Sequence, residues 1–238
     1  MVRRFRRLGG IVLALAGLAT ACSHATTHRS TAGSVRTTPA ERRASKLADA
    51  INLTDADTRG FTGVRHRVTA QDRVEDDRMA RCAGATPPSE ALVDVYSDDY
   101  KAGPQQQLMV SSDVQVMPTV RQVRRDLSAI RSPRAAACFQ QEFARLFGDG
   151  VQGVTLSGFR MTPFHVSKLG TDGTFAFHLS MTASSGTRSM ETTGDMLGFA
   201  EGRMEVTLLT WGLGSPFPAE LEGHYFRLLA DRAVAQAD

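Results

Sequence analysis

Three observations predict an α+β fold, in which an antiparallel β-sheet packs with helices in a single domain stapled by one disulfide. From residue 151 onward apolar and polar residues alternate, interrupted by the short turn signals Asp172-Gly173 and Glu201-Gly202; consecutive strands joined by such turns run antiparallel. Before and after this stretch the apolar residues fall at helical spacing. Helices flanking an antiparallel meander make an α+β sandwich, and Cys82 and Cys138 supply the staple.

The chain opens on Arg3, Arg4, Arg6 and Arg7, followed by 14 uncharged residues from Leu8 to Ala21. That is the layout of a secretory signal peptide. A membrane-spanning helix needs about 20 apolar residues, and Ser23 and His24 end the run early, so an uncleaved anchor is the weaker reading. The segment Leu18-Ala19-Thr20-Ala21-Cys22 resembles the lipobox of bacterial lipoproteins, with Ala19 where Leu is preferred. Residues 1–21 are therefore expected to be a lipoprotein signal peptide and Cys22 the lipidation site. Ala19-Thr20-Ala21 also fits the pattern of ordinary signal peptidase, which leaves a freely secreted form as the alternative. Residues 22–40 are rich in Ser, Thr, Ala and Gly and read as a flexible tether with a reach of roughly 20 to 25 Å. Residues 41–238 fit one sensor-like or ligand-binding-like domain.

Within that domain, Leu47, Ala48 and Ile51 predict a short helix over Glu41 to Ile51, and Phe61 to Val68 a first strand. The charged run 72–81, DRVEDDRMAR, reads as a loop or short helix. Strands are predicted at Leu92 to Tyr96 and Met109 to Met117. Val120, Val123, Leu127 and Ile130 mark one helix face. Ser132-Pro133 starts a second helix with Phe139, Phe143, Leu146 and Phe147 on its buried side, ended by Gly148 or Gly150. Further strands are predicted at Phe164 to Leu169, Phe175 to Met181, Arg188 to Phe199 and Arg203 to Trp211. A last helix carries Leu221, Tyr225, Leu228 and Leu229 on one side.

Three cysteines in an oxidising compartment leave one unpaired. Lipidation of Cys22 removes the odd one, so Cys82 and Cys138 are expected to bond; two buried free thiols are the alternative. The net charge of +3 includes the four leader arginines and no leader acid, so the mature chain carries −1. This near-neutral balance and export together exclude a nucleic-acid partner. The basic group at Arg121, Arg124, Arg125, Arg131 and Arg134 reads as the solvated face of a helix.

No G-x-S-x-G, H-E-x-x-H, P-loop, G-x-G-x-x-G or C-x-x-C pattern occurs, which removes the most readable hydrolase, zinc, nucleotide and thioredoxin-like signals. No catalytic residue, metal site or cofactor is assigned. His178 faces away from the apolar side of its strand, within reach of Ser180 or a neighbouring strand, and has no assignable Asp partner. Asp55, Asp57 and Gly60 resemble the start of a calcium loop, but His66 stands where the loop's closing Glu belongs. Methionines gather in the sheet region; core packing is their ordinary role, and the ligand-lining candidates are Met181, Met190 and Met204 with Phe177. Copper binding by thioethers lacks the M-x-x-M clustering and the Cys or His ligand it needs.

Cys22, the polar tether, Arg81-Cys82-Ala83-Gly84, the VSSDVQV stretch at 110–116 and Ala137-Cys138-Phe139 together resemble an actinobacterial group: envelope lipoproteins and kinase extracellular sensor domains with a PsbP-like or PknH-sensor-like α/β sandwich. The resemblance implies the fold and a place on the outer face of the cytoplasmic membrane. The kinase sensors carry two disulfides where this mature domain has two cysteines, so no functional residue is carried over. The expectation is a membrane-anchored, non-catalytic binding or sensing module for an apolar or lipid-like ligand or an envelope partner protein. An envelope hydrolase using a histidine, or a structural envelope component, is the alternative.

Overall fold

The computed structural model describes residues 37–147, 154–167 and 169–237, excluding the side chains of Gln105 and Phe147. The predicted signal peptide, Cys22, most of the tether, and Gly148 and Gly150 lie outside the described residues.

Helix α1, Pro39–Ile51, begins inside the predicted tether. Thr38 caps it: its side chain accepts from the Glu41 amide while the Glu41 carboxylate accepts from the Thr38 amide, and Pro39 fills the first turn, where no amide is needed. Ala44, Ala48 and Ile51 form its buried stripe. Strand β1, Thr62–Val64, is shorter than the predicted strand. The charged run belongs to a full helix, α2, Ala70–Ala83, closed by a Thr69–Asp72 capping box and by Gly84 in the left-handed region at φ 86°.

Strands β2, Val93–Tyr96, and β3, Asp99–Ala102, lead into β4, Leu108–Val116. Helices α3, Val120–Ile130, and α4, Pro133–Phe147, follow as the apolar spacing predicts. Then come β5, Thr155–Pro163, β6, Gly173–Ser185, β7, Arg188–Glu201, β8, Met204–Leu213, and α5, Ala219–Ala237. The strand expected at Phe164 to Leu169 is not formed; the partner of β6 lies just before it, in β5. Asp172-Gly173 therefore ends a loop instead of closing a two-residue hairpin.

All pairings are antiparallel, in the order β1-β3-β4-β8-β7-β6-β5. Strand β2 pairs with the second half of the β4 edge whose first half holds β3. Period-two alternation on β4 and β8 sends Val110, Val114, Val116, Val206 and Leu208 to one face, where α1 and α5 pack against them. The other face carries Met109, Phe177, Leu179, Met181 and Trp211 under α4, while α3 covers Ala200 through Val123 and Leu127. The Cys82–Cys138 disulfide joins α2 to α4, with Cα atoms 5.8 Å apart. Arg232 of α5 clamps the loop after α1, donating to the Asp57 carboxylate at 2.7 and 3.0 Å and to the Asn52 carbonyl at 2.9 Å. Asp57 thus serves as an anchor for Arg232.

Candidate ligand cavity

Between the sheet and the layer formed by α2, α3 and α4 lies a cavity of about 710 Å³, within the range of roughly 300–1,000 Å³ usual for small-molecule sites. The alternation of β4 positions its floor. Met109, Ser111, Asp113 and Gln115 point into it from β4, and Glu205, Thr207 and Leu209 from β8. Overhead, α2 presents Asp72, Asp76, Met79 and Ala80 along one helical face. Phe139, Phe143 and Leu146 project from α4 at the same spacing. Gly198 on β7 makes room for the ring of its cross-strand partner Phe175, itself part of the lining, which lies where a Cβ would stand.

The lining is sorted into two ends. Met79, Met109, Met196, Phe139, Phe143 and Leu209 make an apolar end. Acids gather at the other. Tyr96 donates to Asp76 at 3.3 Å, and His66 stacks on Tyr96 at a centroid distance of 4.8 Å while its Nδ1 stands 3.1 Å from Asp99. The hydrogen bond to Asp99 raises the His66 pKa, outweighing the opposing effect of burial.

Burial pushes the Asp76 carboxyl up to about 6, and the charge of Asp94 adds to the shift. It drives Asp113 well above the ordinary carboxylate range, again with Asp94 second. Asp94 itself is raised by burial. Glu205 reaches about 8 through burial and then through its contact with Asp126. Asp94 with Asp113, and Glu205 with Asp126, meet carboxyl to carboxyl, an arrangement that holds when one member of each pair keeps a proton. Asp126 is fully buried and accepts from the Thr86 amide at 3.0 Å.

The opposite face of the sheet carries a smaller polar row. His178, Asp195 and Thr210 are cross-strand neighbours on β6, β7 and β8. His178 Nδ1 lies 2.7 Å from Asp195, and the Thr210 hydroxyl donates to Glu222 of α5 at 2.5 Å. Burial raises Glu222 to about 7; the Thr210 hydrogen bond pulls the other way, and the charge of Asp195 adds to the rise. Thr210 is wholly buried; on its other side His178 pairs with the exposed Thr162 of β5.

Of the ligand-lining candidates read from the sequence, none lines the cavity. Phe177 and Met181 are core residues of the α4 face, Met204 belongs to the α1/α5 core, and Met190 lies against Gly214 at the far end of β7. The physical reason is strand parity and position: Met204 has the parity of the packed face, and Phe177 and Met181 sit where α4 closes directly onto the sheet. Thioethers do reach the cavity, from Met79, Met109 and Met196. Cys82 and Cys138 form the expected bond. One signal in the sequence pointed to the cavity: in VSSDVQV the interior strand places Asp113 and Gln115 on the face that also bears Met109. Among the described residues, no group of three or more His, Cys, Asp or Glu side chains is arranged to hold a metal ion.

No protein-family model matches the chain, and no curated protein does. Among solved structures, the chain matches the extracellular domain of PknH from Mycobacterium tuberculosis at a TM-score of 0.44 and 12% identity, covering 80% of this chain and 96% of that one. No functional residue is transferred from it.

Proposed function

We propose that the chain is a cell-envelope lipoprotein, held at the membrane through Cys22, whose domain is a non-catalytic binding or sensing module for an apolar, lipid-like ligand. The observation that carries this reading is the cavity of about 710 Å³ walled on one side by Met, Phe and Leu side chains. A void of that size lined by apolar atoms forfeits the dispersion contacts that a filled core would have, and a ligand restores them. The leader and lipobox-like segment support the location, with the tether lifting the domain off the lipid surface.

Native mass spectrometry of the protein extracted from its host membrane tests both parts. A covalent mass increment at Cys22 and a non-covalently bound apolar molecule, lost when Met196→Trp fills the cavity, are the expected results. A chain that begins elsewhere than Cys22 sinks the anchor, and a folded protein that carries no ligand and binds no alkyl probe sinks the module.

The His178–Asp195 pair favours one second reading, an envelope hydrolase. Turnover of an ester, glycoside or phosphate that disappears in His178→Ala supports it, and activity unchanged in that variant removes it.

A further inference from the structure

Residues 65–68 cross the rim of the cavity between two fixed ends. Val64 pairs with Asp99 in the sheet, and Thr69 is locked into the capping box of α2. Every residue from Val64 to Val68 lines the cavity, while Val64, Arg65 and Arg67 are also exposed to solvent. Among the described residues, the backbone of 65–68 makes no hydrogen bond to another backbone group, so this strap is held by its side chains. Of its four residues, His66 makes the side-chain hydrogen bond, and that tie reaches three elements. Its Nδ1 meets Asp99 of β3 at 3.1 Å, and its ring stacks on Tyr96 of β2 with 16° between the planes. The Tyr96 hydroxyl then carries the link to Asp76 of α2.

We infer, building on the binding-module reading above, that residues 65–68 are a strap that closes the cavity and that protonation of His66 fastens it. An imidazolium donates a charge-assisted hydrogen bond to the Asp99 carboxylate; a neutral ring leaves an ordinary one, roughly half as strong. The surrounding acids favour the charged ring. Asp72 and Asp76 of α2 add to the effect of Asp99, Glu75 also faces the cavity from α2, and Asp94 and Asp113 act on Tyr96 beneath the imidazole. Against them stand Arg65 and Arg67 of the strap itself, whose exposure lets solvent and salt screen them, and Lys101, two residues along β3 from Asp99. Burial opposes a charge on His66, but the Asp99 hydrogen bond outweighs it. The strap is therefore fastened below the ordinary imidazole value of 6.5 and loosens as pH rises through the raised one. A ligand is held at acidic pH and exchanges freely above it.

The test uses the chain carrying Cys22→Ser, so that no lipid of its own competes, and N-phenyl-1-naphthylamine, a neutral apolar fluorophore. Two quantities are measured at about pH 5.5 and about pH 8, on either side of the imidazole range. They are the hydrogen exchange of residues 65–68, corrected for the intrinsic effect of pH, and the dissociation rate of the probe. Both are expected to be roughly tenfold faster at the higher pH, as loss of a charge-assisted hydrogen bond warrants. His66→Phe keeps a ring over Tyr96 but has no proton to lose, and is expected to be fast at both pH values. Asp99→Asn is expected to shrink the pH factor below about threefold, and stands in if His66→Phe does not fold. Strap exchange that is independent of pH overturns the inference, and a probe that still binds leaves the module intact. Strap exchange that follows pH while the probe rate does not also overturns the closure. A pH dependence that persists in His66→Phe overturns the role of His66 and assigns the effect to the carboxyls around Asp76. Failure of the probe to bind a folded protein at either pH sinks the module and the closure with it, whereas the exchange of residues 65–68 still decides the His66 tie.

Discussion

The two faces of the sheet are made from the same strands and filled to different degrees. On the α1/α5 side, Val110, Val114, Val206, Leu208 and Leu229 are closed to solvent, and the helices rest directly on the strands. On the α2–α4 side the helices bridge over the floor, leaving the cavity between Asp113, Leu209 and the overhead residues Asp76 and Phe139. Packing is therefore tighter on one face, and open volume lies on the other. The staple belongs to the emptier face: Cys82–Cys138 holds two roof helices together, compensating for contacts that the cavity removes.

Breaking that staple is the harshest way to test the difference. A loop of 57 residues, from a sequence separation of 56 counted inclusively, is worth about 4 kcal/mol of unfolded-state entropy. The Cys82→Ala/Cys138→Ala double variant is expected to lose about that much by chemical denaturation and to lose alkyl-probe binding before global unfolding. Coincident loss of binding and fold would show instead that the roof is not separately held.

pH provides the next largest effect. Glu205 is raised from 4.5 to about 8, Glu222 from 4.5 to about 7 and Asp76 from 3.8 to about 6. A carboxyl whose pKa is higher folded than unfolded contributes stability that is fully present below the unfolded value and is lost as pH rises through the folded one. His66, also raised, acts in the same direction. Asp57 and Asp77 are lowered, hydrogen bonds outweighing burial, so their contribution is lost only as pH falls below the ordinary carboxylate range. The protein is accordingly expected to be more stable near pH 5 than near pH 8. Glu205→Gln is expected to remove on the order of 3 kcal/mol of that decline, read from thermal melts at both pH values. A melting temperature independent of pH between 5 and 8 would contradict the buried carboxyl pairs.

Adjacent leucines on β8 sharpen the comparison within a single strand. Leu208 is fully buried against the α1/α5 helices, whereas Leu209 is a partly buried member of the cavity wall. Leu208→Ala is expected to cost about 3 kcal/mol, and Leu209→Ala about 1 kcal/mol, because the void beside Leu209 already exists and the truncation enlarges it. Equal losses in denaturant titrations would mean that the cavity face is packed as tightly as the other.

The sequence conveyed the regular elements wherever one face is apolar throughout. Val120, Val123, Leu127 and Ile130 mark α3 because that side alone is buried, and Phe175, Phe177, Leu179 and Met181 mark β6 in the same way. Helix α2 escaped firm assignment because Ala83 is its one buried residue among charges; caps and the disulfide hold it. Strand β3, Asp-Tyr-Lys-Ala, is four residues long and half charged, too short for alternation to register. The cavity was least legible, since its lining runs from Val64 to Leu209 and depends on which parity of β4 meets which helix. The partner of His178 was hidden for a related reason: Asp195 becomes its neighbour only once the β6–β7 register is fixed around Gly186.

The smallest effect separates the two faces through matched caps. Thr38 and Thr69 each close a capping box, with Glu41 and Asp72 respectively, and an N-cap Thr→Ala change costs about 1 kcal/mol. Helix α1 is bound along its length through Ala44, Ala48 and Ile51, so Thr38→Ala is expected to lower global stability by that amount. Helix α2 is stapled near its C-terminus at Cys82 and spans the cavity at its N-terminal half. Loss of the Thr69 cap there frays the first turn, which bears Asp72 and leads into Glu75 and Asp76. Hydrogen exchange is therefore expected to quicken for the amides of residues 71–77 in Thr69→Ala, with the melting temperature nearly unchanged. A uniform acceleration across the domain would mean that the roof and the packed face open as one unit, and that ligand entry requires more than the movement of one helix end.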